Sequence, residues 1–354
     1  MKAWRIDQHG GNEVLKRCEV APDALPPMSV RVSVKAVGMN HLDVWVRKGV
    51  PGHSFPLPLT PGTDSSGVIS EFGPGAQAAF PTLQTGSGVL VSPGISCGHC
   101  EACLSGADPL CTTFGILGET MNGGCSDSLV VPVSNLIPLP DSLSFETAAS
   151  IGIPYLTAWT MVVRKAAVKP GEWVLIQAGG SGVSMAAIQI CKLFGATVVT
   201  TVGSDEKIEK AKAIGADFVI PYRRTKFRDE LKKILKLHGK KGVEVAIDHV
   251  GADTFSESMR SLAWGGRLAT CGATSGSEIS LDLKALFFKN LSLLGTTMGS
   301  KGDLIRIVEL VAQGKLIPMI DRVLPMSELR IAMDLLETRK VFGKIVLTNE
   351  GERE

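Results

Sequence analysis

Trp173-Val174-Leu175-Ile176-Gln177-Ala178-Gly179-Gly180-Ser181-Gly182-Val183-Ser184 is the stretch on which the reading of this chain turns. Four apolar residues, introduced by Pro170-Gly171, read as a buried strand. Small residues follow, and apolar positions at Val183, Ala187, Ile190, Cys191 and Phe194 then recur with a helical period that stops at Gly195. A strand that turns through small residues straight into a helix lets backbone N–H groups and the helix N-terminus approach a pyrophosphate. The strict G-x-G-x-x-G spacing is not met, because Ser184 stands where the residue packing helix on strand belongs. A glycine cluster alone reads equally well as a tight turn. The strand–turn–helix–strand context makes Gly179, Gly180, Ser181, Gly182 and Val183 candidate cofactor-binding residues.

Outward from this turn, strands and helices alternate. Strands are expected at Thr197–Val202, Phe218–Ile220, Val243–Val250, Arg267–Cys271 and Leu291–Thr296. Helices are expected at Ser204–Ile214, around Phe227–His238 and near Thr254–Ala263. Such alternation implies an α/β, doubly wound parallel sheet covered on both faces. The first 135 or so residues read instead as short strands and turns (Ser29–Val37, Gly67–Gly73, Gly88–Ser92). After Gly299, helical patterns at Leu304–Ala312 and Ser327–Thr338 and a strand at Lys344–Leu347 look like a return to the first domain. At about 150 residues per domain, 354 residues suit two. The expected division is 1–152, 153–298 and a return over 299–354.

The tip of the second strand discriminates between nicotinamide dinucleotides. An NAD site usually places Asp or Glu there to accept from the ribose 2′-OH. Here the strand ends Thr201-Val202-Gly203-Ser204, with Asp205 and Glu206 only beyond it. Gly203 and Ser204 leave room for a 2′-phosphate, and Lys207 one turn on can neutralise it. Ser204 also reads as a simple N-cap and Lys207 as a solvated helix residue. The missing acid favours NADPH over NADH.

Lys plus Arg total 37 and Asp plus Glu 35, a formal charge of +2, and no long basic run occurs. That balance argues against a nucleic-acid partner. No apolar stretch is long enough to span a bilayer, and Met1–Asp7 has no apolar signal core, so a cytoplasmic location is expected. Four of the eight cysteines (Cys97, Cys100, Cys103 and Cys111) form C-x2-C-x2-C-x7-C in a lobe over about 93–113. Four thiolates suit one tetrahedral Zn²⁺ with no open position, hence a structural ion. Reduced thiols in a loop or an iron–sulfur cluster are the other readings.

Several stretches resemble the medium-chain dehydrogenase/reductase superfamily over essentially the whole chain. They are Ala36-Val37-Gly38-Met39-Asn40-His41-Leu42-Asp43, Pro61-Gly62-Thr63-Asp64-Ser65-Ser66-Gly67, the four-cysteine lobe, Leu156-Thr157-Ala158-Trp159, the glycine turn, Asp248-His249-Val250-Gly251 and Gly343-Lys344-Ile345-Val346-Leu347. The resemblance implies a GroES-like, mostly-β catalytic domain built from both chain ends, a Rossmann domain, and a homodimer or homotetramer. Zinc alcohol dehydrogenases of that superfamily hold a catalytic Zn²⁺ with Cys, His, sometimes Glu, and a further Cys. Aligned by motif, this chain has Asn40, Thr63, Asp64 and Ile153 at those places, a poor ligand set. Leu42 stands where the hydroxyl proton relay belongs.

The pattern Asn40-x-x-Asp43, Arg47-Lys48-Gly49, then Pro61-Gly62-Thr63-Asp64, is similar to NADPH-dependent quinone oxidoreductases, though those usually lack the cysteine lobe. By that resemblance Lys207, Tyr222 and Arg339 contact the 2′-phosphate. Thr157, His249, Gly272, Ala273 and Thr296 line the nicotinamide, and Asn40 and Asp43 the substrate. Trp45 replaces an active-site Tyr. Hydride passes to an acceptor whose developing oxyanion needs a donor, for which Asn40 is the candidate. His41 is a candidate proton source, and equally a structural histidine. Asp43 and Asp64 are candidate catalytic residues that read equally as loop-shaping carboxylates. Three functions follow: an NADPH-dependent quinone or enone reductase with one structural zinc; an alcohol dehydrogenase with an unconventional metal site, through Asp64 and His41; and a non-catalytic dinucleotide-binding protein.

Overall fold

The computed structural model describes residues 1–349, in two compact units. One holds Met1–Ile153, Ser300–Gly314 and the described residues from Pro318 on; the other holds Pro154–Gly299 and Lys315–Ile317.

The second unit is built on a six-stranded sheet. Its spatial order is Phe218–Pro221, Thr197–Val202, Trp173–Ile176, Val243–Ile247, Leu262–Thr270, Ser292–Gly295. Every pairing is parallel. Trp173–Ile176 is a fully buried apolar run, and Val243–Ile247 is buried except at Glu244, as a sheet covered on both faces requires. Strand order reverses between Trp173–Ile176 and Val243–Ile247, and ligands of open parallel sheets bind at the carboxyl ends of strands flanking such a reversal. The glycine turn leaves one of these strands and Asp248-His249 the other.

Two expected elements are shorter than their apolar pattern. The strand from Val243 stops at Ile247, because the Asp248 carboxylate accepts from the N–H groups of Val250 and Gly251 and from the Thr254 hydroxyl, which turns the chain. The helix expected to run to Ala263 ends at Arg260, and Leu262 already begins the next strand. Unforeseen elements are the helix Gly152–Trp159, continued as a π-helical stretch over Thr160–Lys165, and the strand Ile320–Pro325.

In the first unit, a seven-stranded sheet runs Ile320–Pro325, Lys344–Thr348, Ser29–Gly38, Asp64–Phe72, Gly88–Val91, Leu136–Pro138, with Ser128–Pro132 also paired to Ser29–Gly38. Val30, Val32, Val34, Ile69, Val89, Val91, Leu129 and Leu347 pack its core. Among the described residues no helix is long and apolar enough to cross a membrane.

Candidate functional site

Sheet register assembles the first cluster. Gly38, at the end of its strand, pairs with Asp64 on one side and Val346 on the other, so Lys344, two residues before Val346, comes level with residue 40. A Cβ on Gly38 would stand 1.9 Å from the Ala149 carbonyl, and one on Gly152 would stand 2.1 Å from Asp64 Oδ1. Both glycines therefore let the Ala149–Ile153 segment close over the strand ends, and Ile153 N–H donates to Asp64 Oδ1 at 2.7 Å.

The result is a closed set of polar bonds. Lys344 Nζ donates to Met39 O (2.8 Å), Asn40 Oδ1 (2.8 Å) and Asp64 Oδ2 (3.1 Å). Asn40 Nδ2 donates to Thr63 Oγ1 at 2.7 Å and Asp64 Oδ2 at 2.9 Å. Thr63, Asp64 and Lys344 are all buried. Burial pushes the Lys344 ammonium below its ordinary pKa, while Asp64 pulls it back. Beside it, Asp43 accepts from Asn40 N–H at 2.7 Å and Gly62 N–H at 3.0 Å; burial outweighs both bonds and raises its pKa to about 6.

These residues do not fit the catalytic zinc of the superfamily. Asn40 and Thr63 are weak ligands, Ile153 offers no side-chain donor, and both Asp64 oxygens are taken. A divalent ion would have to displace or sit against an ammonium already paired with that carboxylate. The same bonds spend both hydrogens of the Asn40 amide, so Asn40 is a brace here and not a ready donor to a substrate oxygen. Among the described residues, the Thr63 hydroxyl hydrogen is the cluster's donor with no acceptor.

The cysteine lobe does fit its metal. The Sγ atoms of Cys97, Cys100, Cys103 and Cys111 lie within 4.8 Å of one another. Backbone N–H groups point at the sulfurs: Cys97 N–H at Cys111 Sγ (3.5 Å) and Cys100 N–H at Cys97 Sγ (3.4 Å). The Cys97 N–H, with Thr113, lowers the Cys111 thiol to about 6, toward the thiolate that zinc binds. Lys301 clamps the lobe, its backbone N–H donating to Asp108 Oδ2 at 2.7 Å and its ammonium to Ser134 O at 2.8 Å.

At the reversal point of the other sheet, Ser181 caps the Gly182–Leu193 helix by accepting from Ser184 N–H. Gly179 N–H donates to Thr201 O at 2.7 Å, which ties the turn to the neighbouring strand. His249, expected against the nicotinamide, places its Nε2 3.0 Å from Ser181 Oγ and 2.8 Å from Ser184 Oγ. At the tip of Thr197–Val202, the Tyr222 hydroxyl leaves no space for a Cβ on Gly203, and the Lys207 N–H closes a turn on Ser204 O. Asp205 is ion-paired with Arg224, a basic residue at this tip that the sequence reading missed.

Gly272 and Ala273 follow the Leu262–Thr270 strand, and Thr296 N–H bonds Thr270 O. Thr157 is buried on the Gly152–Trp159 helix. Arg339 belongs to the first unit, just after the Leu329–Glu337 helix. His41 opens the His41–Lys48 helix with its ring edge-on to Trp45. Arg47 is buried against Glu337 at 2.7 Å and is structural.

A GroES-like sheet with a four-thiol lobe and a parallel dinucleotide sheet define a nicotinamide-dependent oxidoreductase of two-domain type. Family models agree: residues 26–141 match the alcohol dehydrogenase GroES-like domain and 182–313 the zinc-binding dehydrogenase domain. The chain is 31% identical to quinone oxidoreductase-like protein 2 of Mus musculus, over 93% of this chain and 87% of that one. It is 30% identical to an alcohol dehydrogenase of Geobacillus stearothermophilus, over 98% and 99%. A crystal structure described as an NAD-dependent alcohol dehydrogenase superposes with a TM-score of 0.92 at 46% identity, covering 98% of this chain and 99% of that one. The chain belongs to the medium-chain dehydrogenase/reductase superfamily and is an NAD(P)-dependent oxidoreductase.

Proposed function

We propose that this enzyme is an NADPH-dependent reductase of conjugated carbonyl acceptors, quinones or enones, that works without a catalytic metal and carries one structural zinc on Cys97, Cys100, Cys103 and Cys111. One observation carries the reading: Asp64, the one carboxylate at the superfamily's metal position, is neutralised by the Lys344 ammonium and bonded at both oxygens. NADPH, when bound, supplies the hydride; the chain's residues orient the ring, exclude water and stabilise the oxygen that gains charge. Within the cluster, Lys344 and Asp64 hold Asn40, and Asn40 Nδ2 holds the buried Thr63 hydroxyl, so the group fixes the strand ends at the superfamily's metal position with no ion.

Three features support NADPH over NADH: the missing acid at Gly203-Ser204, the Tyr222 hydroxyl against Gly203, and the pairing of Asp205 with Arg224. The reading departs from the NAD-dependent alcohol dehydrogenase description of the 46%-identical structure, and alcohol oxidation is the second reading for that reason. A homo-oligomer is supported by exposed Leu283, Phe287 and Phe288 on the helix that leads into the edge strand Ser292–Gly295, and by exposed Trp264 on the strand beside it.

The test is cofactor oxidation with NADPH and NADH against quinone, enone, aldehyde and alcohol panels, alongside zinc analysis. Turnover of quinones or enones with about one zinc per chain is expected; alcohol oxidation with about two would overturn the reading. Thr63→Val, which leaves Asn40 Nδ2 without its hydroxyl acceptor, should cost about 1–3 kcal/mol of stability by urea unfolding, while Thr63→Ser should be close to neutral. Ser204→Asp should raise the NADPH KM at least tenfold and favour NADH.

A further inference from the structure

The glycine turn lacks its third glycine, and the hydrogen-bond arithmetic around Ser184 shows what stands in for it. Ser184 is buried, and its hydroxyl donates to Gln177 O at 2.6 Å, a bond that uses its only hydrogen. His249 Nε2 lies 2.8 Å from the same oxygen, so the imidazole must be the donor there and the proton must reside on Nε2. The same Nε2–H is 3.0 Å from Ser181 Oγ, which also accepts from Ser184 N–H at 3.2 Å. Both lone-pair directions of Ser181 are thereby filled from the protein side. Its own hydrogen is left with Ser184 Oγ at 3.2 Å, one of the longest contacts of the set, onto an oxygen already accepting from His249. Burial holds the pKa of His249 down, with Asp248 and its own backbone carbonyl pulling the other way, in keeping with a neutral ring.

We propose that His249 is a positioning residue of the phosphate turn: its Nε2–H fixes Ser181 and Ser184 so that the partly exposed Ser181 hydroxyl is free to donate to the dinucleotide pyrophosphate. A pyrophosphate oxygen is a charged acceptor and outcompetes the long contact to Ser184. The imidazole thus does by hydrogen bonding what a third glycine does by close packing: it pins the first turn of the Gly182–Leu193 helix to the end of the Val243–Ile247 strand. The role concerns the pyrophosphate half of the cofactor and depends only on dinucleotide use, not on which acceptor is reduced.

Calorimetric titration with ADP-ribose and its 2′-phosphate, which carry the pyrophosphate without nicotinamide, tests this on the whole enzyme. Ser181→Ala should weaken binding about tenfold and His249→Ala several-fold. The double variant should be no worse than Ser181→Ala alone, and His249→Asn, which keeps an N–H donor, should recover part of the loss. Nitrogen-15 spectra of the wild type should report the Nε2–H tautomer. In steady state, His249→Ala should raise the cofactor KM with kcat within a few-fold. An Nδ1–H tautomer would overturn the proposal. So would ADP-ribose binding unchanged in a folded His249→Ala enzyme whose kcat has collapsed, which would put the ring against the nicotinamide instead.

Discussion

Lys344 and Asp64 form the most consequential pair in the first unit, because both are buried and each is the other's counter-charge. Lys344→Met leaves a buried carboxylate with two neutral donors, and should cost about 3–5 kcal/mol of stability. In a double-mutant cycle, adding Asp64→Asn should restore a large part of that loss, as read by urea unfolding. Asp43 makes a pH prediction of definite sign. Its pKa is about 6 when folded against an ordinary 3.8, so between these values the native state holds more protons than the unfolded one. Stability should therefore fall as pH rises from about 4 to about 6, by up to about 3 kcal/mol. The difference between wild type and Asp43→Asn across that window isolates the effect; parallel curves would assign the slope to another group.

At the scale of elements, the cysteine lobe contains the two-residue strand Gly94–Ile95, one short turn of α-helix and one of 3-10 helix, and Leu104 and Leu110 are 76% and 74% exposed. With so little apolar burial, metal–thiolate bonds should supply most of its order. Chelation, or Cys103→Ser, should abolish zinc binding and open the 95–113 region to limited proteolysis before the two sheets unfold. Unchanged proteolysis of the zinc-free chain would show that the Lys301 clamp suffices. The helices and strands of the dinucleotide sheet were legible from periodicity because each buries a continuous face. Their ends were not: Asp248 stops a strand by bonding N–H groups ahead of it, although the apolar pattern runs on to Val250. The π-helical continuation over Thr160–Lys165 gives no periodic signal of its own.

For the whole molecule, the exposed aromatic residues Phe287 and Phe288 directly precede the edge strand Ser292–Gly295 of the parallel sheet, and exposed Trp264 lies on the strand beside it. An edge strand with unpaired backbone groups beside such residues is a self-association surface unless covered. Phe287→Glu with Phe288→Glu should reduce the sedimenting mass to that of one chain while leaving the fold, as judged by circular dichroism, intact. A wild-type mass of one chain, or an oligomer whose mass the substitutions leave unchanged, would overturn association through this edge.

Local chemistry alone determined a good deal about this protein. Thiol spacing marked out the four-sulfur lobe, alternating periodicity the parallel sheet, and small residues the turn between strand and helix. Asn40, Thr63 and Asp64 were visible as departures from a ligand set. What filled the metal's place was not visible. Lys344 stands 280 residues from Asp64, and only strand register brings an ammonium level with residue 40. The same holds for His249, 65 residues from Ser184 in the chain and joined to it where the strand order reverses. Spacing encodes partners that lie within a turn or two of each other. A hydrogen bond between distant segments exists only once sheet pairing has set which residues face one another.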